Sequence, residues 1–200
     1  MNAVLYVHGK GGAAAEAEHY VPLFHGCEVF GLDYKTFTPW ETGKEINDAV
    51  KDLRKSYGKV TVVANSIGAY FSLHADLDGA ADEAFFISPV VDMEKLITSM
   101  MRAAKVSEEE LGKKGRITTD FGEDLSWEYL RYVRENPVRW SVPTHVLYGG
   151  KDGITSLSDI KAFAEKYGAD LTVMENGEHW FHEREQLSFL DEWIKRTLSK

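Results

Sequence analysis

Short runs rich in β-branched and aromatic residues alternate with helix-like stretches along almost the whole chain, and this rhythm constrains the fold more than any other feature. Val4–His8, Glu28–Leu32, Val60–Ala64, Ala84–Ser88, Thr144–Tyr148 and Leu171–Met174 read as strands. Between them, Ala13–Phe24, which Pro22 can break, Glu41–Tyr57, Ile67–Ala75, Ser156–Tyr167 and Trp180–Leu198 read as helices. The period is plainest in Glu41–Tyr57, where Ile46, Val50 and Leu53 share one face. The strands are apolar on both faces, so both faces must be covered. Alternating βα units with such strands predict a mostly parallel sheet of about six strands with helices on either side.

One stretch breaks the rhythm. Residues 92–140 hold helix-like Met93–Lys105 and Leu125–Asn136 around a polar middle, Glu108–Gly122, with no clear strand. They predict a helical insertion within a single domain spanning residues 1–200. A chain of 200 residues, 44% hydrophobic, suits one domain with a substantial core.

Charge and cysteine usage narrow the setting. A net charge of −9 provides no basic footprint for nucleic acid and disfavours an anionic membrane surface. Cys27 is the only cysteine, so no intrachain disulfide can form, which suits a reducing compartment. It opens an apolar strand, where it is expected to be buried. The first residues, Met1–Val7, lack a signal-peptide pattern, and no apolar run approaches the roughly 20 residues of a membrane span. The expectation is a cytoplasmic protein.

The third strand runs directly into Asn65-Ser66-Ile67-Gly68 and then a helix. A Ser at such a turn is pushed out at the carboxyl edge of the sheet, the geometry of a nucleophile elbow. Small residues two positions either side let the backbones crowd together. Here they are Gly68 and, in place of the usual Gly, Ala64. The plainer reading of Ser66 is a helix N-cap.

Two further residues decide between these readings. Asp152 follows the fifth strand in Gly149-Gly150-Lys151-Asp152-Gly153, and His179 follows the sixth in Asn176-Gly177-Glu178-His179. Both fall on the same sheet edge as Ser66, where open α/β sheets bind ligands. Ser is a weak nucleophile until a base takes its proton, His suits that task, and Asp orients the imidazole. Alone, Asp152 reads as a turn former and His179 as a packed histidine. Together with Ser66 they form a candidate nucleophile, base and acid. Such a site also needs donors for a developing oxyanion. The candidates are the backbone N–H of Ile67, after the nucleophile, and that of Lys10, in the glycine-rich loop His8–Gly12.

On these residues the chain resembles the α/β-hydrolase superfamily. The His8-Gly9 loop, the Asn65–Gly68 elbow, the Gly150-Lys151-Asp152 turn and the Gly177-Glu178-His179 turn carry the resemblance, which runs from about Val4 to the end of the chain. It implies a small serine hydrolase with a three-layer sandwich, sheet order 2-1-3-4-5-6, residues 92–140 as a cap-like insertion, and an order Ser66, Asp152, His179 matching the superfamily's triad. It implies hydrolysis of a small-molecule carboxylic ester or thioester through an acyl-enzyme on Ser66, with no cofactor and no metal. Peptidase or amidase chemistry would use the same groups. Trp127 and Trp180 are candidates for the substrate pocket, whereas most aromatics of the insertion, among them Tyr129, Tyr132 and Trp140, are expected in core.

Two rivals come from other classes. Gly9-Lys10-Gly11-Gly12-Ala13-Ala14 fits a dinucleotide-binding loop, with Asp33 near the place of a ribose-binding acid, as in a nicotinamide-dependent oxidoreductase. A hydrolase-like scaffold used only for binding is the other. His179, His182 and Glu183 lie close together but lack the further ligands a metal site needs.

Overall fold

The computed structural model describes residues 1–199. The strands are β1 (Asn2–Val7), β2 (Cys27–Gly31), β3 (Val60–Asn65), β4 (Glu83–Ile87), β5 (Arg116–Thr118), β6 (Asp124–Ser126), β7 (Thr144–Gly149) and β8 (Asp170–Met174). The helices are α1 (Pro39–Arg54), α2 (Ile67–Leu73), α3 (Met93–Ala103), α4 (Glu108–Lys114), α5 (Trp127–Glu135), α6 (Leu157–Tyr167) and α7 (Arg184–Leu198), with a 3₁₀ helix over Ala14–Tyr20. Among the described residues no helix is long and apolar enough to cross a membrane.

Six strands form one sheet in the order β2-β1-β3-β4-β7-β8, every neighbouring pair parallel. Counted among themselves they run 2-1-3-4-5-6, as expected. The labels shift because β5 and β6 intervene as an antiparallel pair where no strand is predicted. Each has three residues, and the pair is marked in sequence only by Ile117 opposite Leu125, too short to show a period.

The alternation of side chains sorts the core. Val4, Tyr6, Val63, Phe85, Ile87, Leu147 and Met174 pack with Ala17 and Tyr20 of the 3₁₀ helix and with Leu190, Trp193 and Ile194 of α7. The intervening Leu5, Val62, Ala64, Phe86 and Val146 are equally buried and face the layer of α1, α2 and α6. Strands buried on both faces are what made their sequences nearly continuous apolar runs.

The chain divides into two compact units, one of Met1–Val91 with the chain from Arg139 onward, the other Asp92–Val138. In the second, Leu111, Leu125 and Leu130 are buried, and Arg134 donates to Glu94 and, through two nitrogens, to Glu108, tying α5 to α3 and α4. Trp140 belongs to the first unit, where its indole N–H donates to Thr144 Oγ1 at 2.7 Å and its ring lies against Phe86.

Three expectations are corrected. The first predicted helix is a 3₁₀ helix ending at Tyr20, followed by turns around Pro22, where proline supplies no N–H to continue a helix. The last helix begins at Arg184 rather than Trp180, because Phe181 at φ 44° interrupts the backbone. Cys27 is only partly buried, since β2 is an edge strand.

Candidate active site

β3 delivers Ser66 to the carboxyl edge with φ 51° and ψ −117°, a backbone region that costs a non-glycine residue about 1–3 kcal/mol. Neighbouring backbone holds it there. The Ser66 N–H donates to the Ile87 carbonyl at 3.0 Å, and the Ser66 carbonyl accepts from Val90 at 3.1 Å and Ala69 at 3.2 Å. A Cβ on Gly68 would lie 2.5 Å from the His8 carbonyl oxygen and 2.6 Å from that of Val7. Only glycine lets α2 start this close to β1. On the other side Ala64 is fully buried in register between Val7 and Phe86, so its methyl is accommodated.

Ser66 occupies the N-cap position of α2, yet its side chain makes no capping bond. Its hydroxyl instead lies 2.8 Å from Nε2 of His179, and Nδ1 of His179 lies 2.7 Å from Oδ2 of Asp152. An ionised carboxylate can only accept, so Nδ1 carries the proton, and Nε2 of the neutral ring then accepts from the Ser66 hydroxyl. The His179 side chain is 8% exposed and that of Asp152 is 0% exposed. Such an arrangement can draw a proton from the hydroxyl onto the ring and hold the resulting imidazolium against a charge shielded from water.

Two glycine-rich loops bring His179 and Asp152 together. A Cβ on Gly149 would lie 2.6 Å from the carbonyl oxygens of both Gly177 and Glu178, and one on Gly150 would lie 2.5 Å from that of Glu175. Backbone therefore packs on backbone, joined by Gly150 N–H to the Met174 carbonyl and Lys151 N–H to the Gly177 carbonyl, each at 2.8 Å. Asp152 also performs the turn-forming role: its Oδ1 accepts from the N–H groups of Ile154 and Thr155 at 2.7 and 3.0 Å, and its Oδ2 from the Thr155 hydroxyl at 3.0 Å.

Burial pushes the Asp152 carboxyl up, but the hydrogen bond from His179, the ring's positive charge whenever it is protonated, and the N–H groups of Thr155 and Ile154 outweigh it and hold its pKa below the usual value. A depressed folded-state pKa contributes stability that is full above the unfolded carboxyl value and fades as pH falls through the folded one. The part of the wild type's stability advantage over Asp152→Asn that comes from this carboxylate is therefore expected to be present above the unfolded carboxyl value and to shrink as pH falls below about 4. Denaturant unfolding of both proteins across that range checks this.

The other candidates are placed as follows. Ile67 is the first residue of α2, where a backbone N–H has no acceptor within the helix. Lys10 follows Gly9 in a turn closed by Gly12 N–H to the Gly9 carbonyl at 3.1 Å. A Cβ on Gly9 would lie 3.3 Å from Ser66 Cβ, so the turn starts against Ser66. His8 stacks on Tyr34 at 4.1 Å between ring centroids, and the Tyr34 hydroxyl donates to the His8 carbonyl at 2.9 Å. Trp180 is 66% exposed beside His179. Trp127 lies in the second unit, its ring near Gly112. Asp33 is exposed and paired with Lys35, and His182 is exposed beside Glu183. An open groove of about 750 Å³ lined by Met174, Arg184, Phe189 and Arg196, among others, includes none of Ser66, Asp152 and His179. Sequence reasoning missed Tyr6, Glu16 and Tyr34, which buttress the first loop; the only local sign was Glu16 three residues after Ala13, the spacing of a helix start.

No protein-family model and no curated protein sequence matches the chain. Solved structures do. Alpha/beta hydrolase domain-containing protein 10 from mouse superposes with a TM-score of 0.76 at 18% identity, over 98% of this chain and 89% of that one. Est1E from Butyrivibrio proteoclasticus, in its structure with ferulic acid bound, superposes with a TM-score of 0.75 at 15% identity, over 99% and 88%. A thioesterase domain from the curacin biosynthetic pathway gives 0.61 at 15% identity, over 96% and 90%. The chain has the α/β-hydrolase fold.

Proposed function

We propose that this chain is a serine hydrolase that cleaves a carboxylic ester or thioester of a small molecule through an acyl-enzyme on Ser66. The observation that carries this reading is the direction of the Ser66 hydroxyl. It forgoes the capping bond of its own helix and bonds His179, which bonds a buried Asp152. In the reaction the Ser66 oxygen attacks the carbonyl carbon while its proton passes to Nε2 of His179. The N–H groups of Ile67 and Lys10 receive the oxyanion. The imidazolium, stabilised by Asp152, then protonates the departing alcohol or thiol, leaving Ser66 acylated. Water then gives a proton to His179 and attacks the acyl carbon; the bond from that carbon to the Ser66 oxygen breaks, His179 returns the proton to Ser66, and the carboxylic acid leaves. No step needs a cofactor. Trp180 offers the substrate an apolar surface beside the base.

The fold neighbours support hydrolytic chemistry, since an alpha/beta hydrolase domain-containing protein and a thioesterase domain are among them. The dinucleotide reading is weakened because the first loop leads into a 3₁₀ helix of 7 residues rather than an α-helix, and because Gly9 packs against Ser66. Turnover of small p-nitrophenyl esters and of short-chain acyl thioesters is the test. Hydrolysis of either supports the assignment, and hydrolysis of neither defeats it.

The loop contact yields a further expected result. Gly149→Ala places a methyl against two carbonyl oxygens and forces the Asp152 and His179 loops apart. It is expected to lower Tm and to reduce kcat by at least about tenfold, a misplacement effect. Thermal unfolding and ester turnover check both.

A further inference from the structure

A hydrogen-bond chain that the proton relay does not use lies next to the Gly9–Gly12 turn. Tyr6 of β1 is 1% exposed, and its hydroxyl donates to Glu16 Oε2 at 2.5 Å. Glu16 Oε1 accepts the N–H of Ala13, the residue after the turn, at 3.2 Å. Asn65, the residue before Ser66, extends its Nδ2 to the Tyr6 hydroxyl at 3.4 Å. A single carboxylate thus connects the far end of the first loop to the approach of the nucleophile. Burial, chiefly, raises the Tyr6 pKa above the usual phenol range, with Tyr20 and Glu16 adding. The phenol therefore stays protonated and keeps donating to the Glu16 side chain.

The turn needs such a tie. Gly9, Gly11 and Gly12 leave its backbone with wide conformational freedom, whereas an oxyanion donor works only when held within a few tenths of an ångström of its place. The near end is fixed by contact, since Gly9 packs against Asn65 and Ser66. The far end is fixed by Glu16. Gly12 also lies against the same carboxylate: a Cβ there would be 2.8 Å from Oε1 and 3.0 Å from Oε2.

We infer that Glu16 is a positioning residue: bonded to Tyr6 and Ala13, it holds the glycine turn, and with it the Lys10 N–H, in place beside Ser66. This rests on the hydrolase reading above. Truncating the brace should impair the transition state rather than substrate binding. Glu16→Ala is expected to lower kcat for p-nitrophenyl acetate about tenfold to a hundredfold while KM changes less than about twofold. Glu16→Gln, which keeps one acceptor oxygen, should recover part of the loss. Tyr6→Phe should reproduce much of it, and the double variant Glu16→Ala with Tyr6→Phe should be no slower than Glu16→Ala alone, because both remove one interaction. Gly12→Ala displaces the carboxylate, the far end of a flexible side chain, and should lower kcat in a chain that still folds. Glu18→Ala, on the same 3₁₀ helix, should match the wild type.

The outcomes separate the two readings. An active wild type with unchanged kcat in Glu16→Ala and Gly12→Ala overturns the positioning role and leaves the hydrolase. A loss confined to KM, or no recovery with Gln, also overturns it. A wild type that neither turns over ester nor labels with a fluorophosphonate overturns both.

Discussion

Ser66→Ala is expected to abolish ester turnover while the protein keeps its fold and nearly its full stability. The substitution removes one oxygen. The main-chain bonds of residue 66 to Ile87, Ala69 and Val90 involve no side-chain atom, and alanine meets the same backbone cost at φ 51° as serine does. What disappears is the only hydroxyl in contact with His179 Nε2 among the described residues. Without it no acyl-enzyme can form, and residual rates should fall to what oriented water achieves in a site with its oxyanion donors intact. The expected loss is on the order of 10⁴-fold or more in kcat. Circular dichroism and thermal unfolding of Ser66→Ala beside its kinetics check the claim. Retained turnover with an intact fold would move the chemistry elsewhere.

His179→Ala carries the second large effect, for a different reason. The Ser66 hydroxyl remains, but among the described residues no other base lies within hydrogen-bond distance of it, and Asp152 keeps its charge in a site where its side chain is fully shielded from solvent. Both rate and stability should suffer. The rate loss is expected to be of the same order as that of Ser66→Ala, since relay members act as a unit, and a Ser66→Ala, His179→Ala double variant should be little slower than either alone. The stability loss should exceed that of Ser66→Ala, because an ionised carboxylate left without its partner is costly when buried. The N–H groups of Ile154 and Thr155 and the Thr155 hydroxyl limit that cost. Kinetics and denaturant unfolding of the single and double variants distinguish the two effects.

Much of this fold was legible because its information is local. Strands buried on both faces announce themselves as apolar runs, and the run into Ser66 marks where a strand must turn. Chain order then placed Asp152 and His179 beyond the ends of their strands, on the edge that holds Ser66. What the sequence did not reveal is nonlocal or too short to be periodic. The three-residue strands around Ile117 and Leu125 lack the length for alternation to register. Phe181 gives no sign in sequence of its positive φ, so the apolar pattern extends the last helix past its true start at Arg184. The backbone contact of Gly149 with Gly177 is visible only once two loops are folded together. Nothing local in the sequence pairs Glu16 with Tyr6, 10 residues away.

The central claim is that Ser66 is a nucleophile activated by His179, and covalent labelling tests it most directly. The folded protein is treated with a fluorophosphonate, digested, and the modified peptide is sequenced by mass spectrometry. The account predicts a single phosphonylated residue, Ser66, with labelling strongly slowed in His179→Ala. Absence of labelling in a folded wild type, or modification at another serine with Ser66 untouched, would contradict it.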